Sequence, residues 1–387
     1  MRKIRVAFFA DMLLEDFDGC IRTIQQIVRR IPKDEFEFLF LTGWPPKNEG
    51  DHKYVKLSTV PMPFNAPYRA TVPLFSSRTL KKELRAFKPD LIHVSNPSML
   101  GNYAAKYAKA NSLPLTTIYH THYVTYVKYY FRFIKPLIPL GEAKIVAMTK
   151  ALYDKCDIVY VPVKGIIDDF KALNMKTSNC SIWPRGIDSK LFNPEKRDVS
   201  YLRTLTGNDE PNILFASRLV WEKNLETLIQ IYDLSRKRGF TFNLIIAGEG
   251  ASTAGLKERL PDALYLGELS HEELSKVYAS SDLFLFPSDT ETYGNVVTEA
   301  MASGIPTIAA NKGGPTGIIE DGVSGFLTES HEPEGYLEKI KLLLSDRELY
   351  EKIRSEGLEY TKSLSWKYLT DRYFSDLRRL YQESQDS

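Results

Sequence analysis

Residues 284–326 read FLFPSDTETYGNVVTEAMASGIPTIAANKGGPTGIIEDGVSGF. The apolar run from Leu283 to Pro287 has the length and composition of a buried strand. A polar loop follows, then a short helix that begins near Gly294 or Asn295 and is stopped by Gly304, then a second strand, IPTIAA, and a glycine turn. Strand, helix and strand in this order form a βαβ unit, which sets its strands parallel and places ligands beyond their carboxyl ends. Two carboxylates fall there. Glu291 lies in the loop at the helix mouth and Glu299 about one turn inside, so both can face a single ligand laid across the first turn. The free N–H groups and positive dipole end of that turn suit a phosphate or another anion, and Gly294 lets the ligand approach the backbone closely. A polyhydroxyl group could be gripped at one end and a diphosphate at the other. The competing reading is a solvated loop glutamate and a surface helix glutamate.

Upstream, the strand in NILFASRL opens this half of the chain. The segment SRLVWEKN sets Arg218 and Lys223 five residues apart, between that strand and the helix LETLIQIYDL. Two cations reaching back over a strand end would stabilise charge growing on a departing diphosphate, although such a pair is also common on solvated faces. The first half repeats the alternation: a strand IRVAFFA, a loop, a helix IRTIQQIVRRI, then FEFLFLTG, a helix over about 77–87, DLIHVS, a helix over about 100–110, LTTIYH and CDIVYVP. Such alternation predicts a parallel, doubly wound sheet. Gly19, at the first strand-to-helix turn, is where a diphosphate would touch the backbone, though turns use glycine routinely. His120 ends a strand on the same rim, where a structural histidine is the alternative. Residues 181–194, SIWPRGIDSKLFNP, punctuate two α/β patterns and read as the interdomain crossing. Amphipathic helices are predicted over roughly 333–345, 346–358 and 366–384.

The chain has 387 residues, 43% hydrophobic and 26% charged, enough for two ordinary domains and unlike a disordered composition. Cys20, Cys156 and Cys180 have neither CxxC spacing nor a histidine cluster, so no disulfide framework or zinc site is expected, and a reducing, cytoplasmic location is. The opening MRKIRVAFFAD begins like a targeting peptide, but Asp11 cuts its apolar run short. No apolar stretch approaches the roughly 20 residues of a membrane span. The formal net charge of +2 hides an asymmetry: residues 1–180 carry 27 Lys and Arg against 16 Asp and Glu, net +11, and the remainder 24 against 33, net −9. The first half is therefore expected to meet something anionic. The run Tyr119 to Lys135, YHTHYVTYVKYYFRFIK, interleaves rings with Lys128, Arg132 and Lys135. It reads either as an amphipathic helix packed into the domain or as a surface for the headgroup level of a bilayer.

The Glu, seven residues, Glu spacing within SDTETYGNVVTEAMASGIPTIAANKGGP resembles the donor-site motif of glycosyltransferase family four, retaining enzymes of the two-Rossmann-domain GT-B architecture. SRLVWEKN resembles that family's Arg-to-Lys diphosphate clamp, LIIAGEG its following strand and glycine turn, and YHTH its aromatic-His-Thr-Asp segment, with His122 where the acid often stands. The likeness covers nearly the whole chain, and is similar to bacterial glycolipid-forming mannosyl- and glucosyltransferases. It implies an acceptor-binding domain over 1–182, a nucleotide-sugar-binding domain over 183–365 and a terminal helix, 366–387, crossing back onto the first. It further implies a hexosyltransferase using a nucleoside diphosphate sugar as substrate, with no metal and no other cofactor. Arg218 and Lys223 would hold the diphosphate with Gly19, Gly294 and Asn295. Glu291 would hold sugar hydroxyls, Glu299 the ribose, and His120 the donor sugar and reacting face. The expected acceptor is a membrane glycerolipid on the inner face of the membrane, where the protein would be peripheral; nucleic acid is not an expected partner. The rivals are a soluble sugar or small-molecule acceptor, a nucleotide-sugar epimerase or hydrolase, an inverting enzyme with Asp18 as base, and a non-catalytic binding module.

Overall fold

The computed structural model describes residues 2–14, 19–48, 50–61, 69–120 and 138–386. By Cα proximity the chain divides into two compact units, 1–184 with 367–387, and 185–366.

In the first unit, strands β1 (Ile4–Met12), β2 (Phe36–Trp44), β3 (Lys53–Lys56), β4 (Thr59–Pro61), β5 (Arg69–Thr71), β6 (Leu91–Val94), β7 (Leu115–Ile118), β8 (Ile158–Val161) and β9 (Cys180–Ile182) alternate with helices. Seven of them form a sheet in the order β3-β2-β1-β6-β7-β8-β9, parallel throughout, while β4 and β5 pair separately and antiparallel. Val6, Ala7, Phe8 and Phe9 of β1 are at most 1% exposed, as a central strand covered on both faces requires. The order reverses between β1 and β6, so the loops leaving their carboxyl ends part there.

The second unit holds β10 (Asn212–Ala216), β11 (Asn243–Ala247), β12 (Leu264–Gly267), β13 (Leu283–Phe286), β14 (Thr307–Ala310) and β15 (Phe326–Thr328) in the order β12-β11-β10-β13-β14-β15, again all parallel. The two Rossmann-like sheets are those read from the alternation of strand and helix patterns. The short strands β3, β9, β12 and β15 carry too few residues to show a period, and only pairing reveals them. Thus Cys180–Ile182, at the start of the expected crossing, is the edge strand β9 of the first sheet.

The aromatic run divides. Tyr119 and His120 are buried, and the Tyr119 ring stands edge-on to Tyr153 and Phe170 at 6.1 and 5.4 Å. Its start therefore belongs to the core rather than to a surface. Residues 121–137, including His122, Lys128, Arg132 and Lys135, lie outside the described residues, as does Asp18.

The helix Trp366–Asp386 closes the first sheet. It buries Leu369, Tyr373, Phe374, Leu377 and Leu380, each such side chain contributing roughly 1.5–3 kcal/mol. Its polar ties are also to that sheet: Trp183 Nε1 donates to Leu369 O at 2.8 Å, Tyr160 Oη to Asp376 at 2.9 Å, and Arg378 forks onto Glu35 at 2.6 and 3.1 Å. Beneath it His93 of β6 is fully buried and stacked on Phe8 at 4.3 Å. Its Nδ1 lies 2.9 Å from Thr116 Oγ1 and 3.0 Å from Tyr373 Oη.

Burial pushes the His93 pKa down to about 3. The folded unit therefore refuses a proton that the unfolded chain accepts near pH 6.5, so stability present above that pH falls as pH drops from about 6.5 towards 3. Between pH 6.5 and 5 this one group should remove about 1.5 kcal/mol. Chemical denaturation at the two pH values measures it, and His93→Gln, which keeps a polar partner but does not titrate, should flatten the slope. An unchanged slope would mean that another group sets it.

Candidate active site

β10 and β13 are neighbours in the middle of the second sheet, and the chain leaves them in opposite directions, to β11 and β12 on one side and to β14 and β15 on the other. Open parallel sheets bind ligands at such a switch point. After β10 the chain runs through Ser217–Val220 into a single 3₁₀ turn, Trp221–Lys223. Arg218 is exposed in this loop, and no carboxylate among the described residues pairs with it. Lys223 is different. Its side chain is 10% exposed and its Nζ forms an ion pair with Glu291, itself 21% exposed, in the loop after β13. An ammonium so far removed from water needs an anion, so these two side chains hold each other in place.

Two further hydrogen bonds join the two loops, Asn224 to Pro287 O and Thr290 to Glu222 O, and two more hold Asn224 in place. Asn224 adopts the left-handed conformation, φ +56°, that asparagine tolerates, and its Nδ2 donates to Pro287 O at 3.0 Å and Ser330 O at 2.7 Å. Its Oδ1 accepts from Thr227 Oγ1 at 2.9 Å, and Thr290 Oγ1 donates to Glu222 O at 2.9 Å. On the other side the Glu291 carbonyl accepts from Gly314 N at 2.8 Å. A Cβ on Gly314 would stand 2.0 Å from Tyr293 O, so only glycine lets the turn after β14 brace this loop.

Beyond the brace comes the helix Asn295–Ala302. Its N-cap, Gly294, has φ +94°, and no side chain caps the first turn. Asn295 is exposed at the first helical position. Glu299 sits half-buried one turn in and accepts from Tyr278 Oη at 3.3 Å. Burial first, and then the Glu299 charge, hold the Tyr278 hydroxyl far above its ordinary pKa, so it stays a donor. Asp289 accepts from Lys312 at 3.2 Å beside the same loop, and His331 Nε2 lies 3.6 Å from it.

Of the residues singled out in the sequence, Arg218, Lys223, Glu291, Gly294, Asn295 and Glu299 all follow β10 or β13. Lys223 and Glu291, read separately as a diphosphate ligand and a sugar ligand, touch each other. Gly19 and His120 belong to the first unit: Gly19 opens the helix Gly19–Val28 after β1, and His120 lies two residues beyond β7. Asn224, Gly314 and Tyr278 were missed. Asn directly before a helix, and a GG pair after a strand, were the available signals; Tyr278 had none. In the first unit Asp11, at the end of β1, accepts from Thr71 N at 3.0 Å and Asn96 Nδ2 at 2.9 Å, and was likewise unmarked. Among the described residues no three His, Cys, Asp or Glu side chains are grouped to hold a metal ion.

The sequence profile of Glycosyltransferase Family 4 matches residues 17–191, and that of Glycosyl transferases group 1 matches residues 203–360. The chain belongs to glycosyltransferase family four. This family-four chain is 34% identical over 321 residues to a sulfoquinovosyl transferase of Arabidopsis thaliana, an alignment spanning 79% of the chain and 60% of that protein. It is 29% identical to a GDP-mannose-dependent alpha-mannosyltransferase of Corynebacterium glutamicum, over 95% of the chain and 87% of the relative. To an alpha-monoglucosyldiacylglycerol synthase of Acholeplasma laidlawii it is 25% identical, over 85% and 86% respectively. Among solved structures, sucrose-phosphate synthase of Thermosynechococcus elongatus superposes with a TM-score of 0.77 at 20% identity, covering 98% of this chain and all of that one. The fold is thus GT-B, and the protein is a glycosyltransferase.

The brace behind Glu291 has a direct test. Gly314→Ala should push the loop 291–293 away and cut glycosyl transfer at least tenfold, with a stability loss of about 1–3 kcal/mol. Gly255→Ala is the control: a Cβ there meets only the Trp221 ring at 3.5 Å, within a helix, and should leave stability unchanged or raised. Turnover and thermal unfolding of both variants decide it.

Proposed function

We propose that the protein transfers a hexose, with retention of configuration, from a nucleoside diphosphate sugar to a hydroxyl of a membrane glycerolipid. The observation that carries the donor half is the Lys223–Glu291 pair at the β10–β13 switch point, beside an uncapped helix mouth at Gly294. Arg218 and Lys223, with the first-turn amides at Asn295, take the diphosphate and its growing negative charge, the role a metal ion fills in other designs. As Lys223 turns to phosphate, Glu291 is released to accept hydroxyls of the sugar. Glu299, held by Tyr278, accepts from the ribose. In the first unit His120 meets the donor sugar at the reacting face and Gly19 lets a phosphate approach the backbone. The sugar C1–O bond to the diphosphate breaks, the acceptor oxygen bonds to C1 on the same face, and a phosphate oxygen of the leaving group takes the acceptor's proton.

The acceptor half draws on the net +11 of residues 1–180 and on the glycolipid synthase among the relatives. The first unit is then the acceptor side and the second the donor side. No helix among the described residues is long and apolar enough to cross a membrane, so the lipid is reached from the bilayer surface. A soluble anionic acceptor is the second reading, favoured by the same cationic excess. Offering the preferred nucleotide sugar to diacylglycerol-type lipids and to soluble sugar phosphates, and determining the anomeric configuration of the product, tests both.

Two sets of variants test the roles. Arg218→Ala and Lys223→Ala should lower kcat by about ten- to a thousandfold with the fold intact, because their stabilisation is made mainly in the transition state. Near-normal turnover in both would remove the clamp. Glu299→Gln should weaken binding of the bare nucleoside diphosphate by about 1.5–3 kcal/mol, the worth of a hydrogen bond to a charged group. Glu291→Gln, which frees Lys223 for phosphate, should leave that binding equal or tighter and harm transfer instead. Calorimetry with the bare nucleotide separates them, and the reverse pattern would exchange the two roles.

A further inference from the structure

The chain crosses between its two units at residues 184–185 and again at 366–367. On the second unit's side the two crossings are fastened to each other. Ile187 N donates to Leu364 O at 2.9 Å, and Ile187 and Ser365 form an isolated parallel bridge. Gly186 lies against the Trp366 indole so closely that a Cβ on it would stand 2.4 Å from the ring. Tyr293 reaches both crossings from elsewhere in the fold. It is 2% exposed, and its Oη donates to Arg185 O at 3.4 Å, at the first residue past the first crossing. The same hydroxyl is within reach of the Tyr360 hydroxyl, in the last turn of the helix Arg347–Lys362, which leads into the second crossing.

Tyr293 also belongs to the loop that the proposed function gives to the donor. It stands between Glu291 and Gly294, and its carbonyl is the atom on which Gly314 rests. Packing alone asks for an aromatic ring at this place and not for a hydroxyl. A buried hydroxyl costs free energy unless it finds partners, so phenylalanine would fill the same space more cheaply. What the hydroxyl adds is the identity of its neighbours. Arg185 lies 108 positions away in sequence, and with Tyr360 it marks the two places where the chain leaves this unit. A segment opens locally only by breaking the contacts that hold it. If a ligand orders the loop, opening a crossing means parting it from a side chain that can no longer follow. The ligand therefore raises the cost of opening, and by reciprocity a loosened crossing weakens the loop.

We infer that the Tyr293 hydroxyl is a positioning group that couples the loop 291–294 to both crossings, so that a nucleoside diphosphate held at the loop tightens the crossings and a disturbed crossing loosens the loop. The inference rests on the donor reading of that loop. Hydrogen exchange of the full chain tests it, read by mass spectrometry on peptides covering 185–190, 291–296 and 362–367. The probe is whichever of UDP, GDP and ADP raises the thermal unfolding temperature most. In the wild type it should slow exchange at the loop and at both crossings, at the crossings by about fivefold or more, the lower end of ordinary coupling between sites. In Y293F, which keeps the ring, it should still protect the loop but change the crossings by less than about twofold. Each ratio is taken within one variant, so a general change in stability cancels. The reciprocal arm needs no nucleotide. Gly186→Ala, which pushes on the Trp366 ring, should speed exchange at 291–296 by about fivefold or more, and Y293F/G186A should exchange there no faster than Y293F. Should G186A fail to fold, the comparison of wild type with Y293F decides. Crossings indifferent to a nucleotide that protects the wild-type loop would overturn the coupling. So would a wild-type pattern in Y293F, which would leave Tyr293 as a core ring only. If no nucleotide protects the loop, the donor reading falls, and the reciprocal arm decides the coupling by itself.

Discussion

The lateral pairing of β10 with β13 is the constraint on which the second unit's chemistry depends. Ile213 and Leu214 stand beside Leu283 and Phe284, and that register delivers the loops of both strands to one place. The ladder alone would still leave flexible loops above it. Asn224 removes that freedom by donating to Pro287 O and Ser330 O, so the turn bearing Lys223 is fixed to the end of β13 before any charge is considered. Only then do the Lys223 ammonium and the Glu291 carboxylate meet. Their mutual burial ties their positions tightly, and it also makes each responsive to a ligand that offers the other a better partner.

Rigid support from behind is the second theme. Gly314 touches the backbone at Tyr293, and Tyr278, fully buried, aims its hydroxyl at Glu299. Neither residue needs to touch a substrate to matter. A side chain held by a packed donor loses little further freedom when it binds, so more of its hydrogen bond appears as affinity. The first unit has the same logic at β1 and β6, where Asp11 is held by Thr71 and Asn96. There the sheet is sealed by the helix Trp366–Asp386, and His93 lies fully buried beneath Tyr373.

Charge separates the two units in a way that burial does not. The apolar cores are alike, with central strands buried along their length. The excess of cations in the first half is spent partly on ion pairs, such as Lys53 with Glu83 and Lys150 with Asp154, and partly on one helix face, that of Arg78, Lys81, Lys82 and Arg85, which has no such partners among the described residues. A fold needs only the former. The latter is a surface arranged for something outside the chain.

The sequence by itself determined the sheets and the local spacing of the two glutamates. Buried parallel strands announce themselves as apolar runs, helices as periodic ones, and the spacing of Glu291 and Glu299 is local, within one loop and one short helix. What it left undecided is what depends on contacts far apart in the chain. The Lys223–Glu291 pair joins residues 68 positions apart, and nothing near either marks the other. Edge strands of three or four residues, such as β9, exist only because a neighbour pairs with them. Tyr119 opens a run that could be read as packed or as surface, and it is a core residue, because burial is set by Tyr153 and Phe170 and not by the rings beside it in sequence. Leu74 and Phe75, conversely, look like core residues. The turn held by Pro73 and Ser76 puts them in water, since hydrophobicity states a preference and only the tertiary structure decides which preferences can be met together.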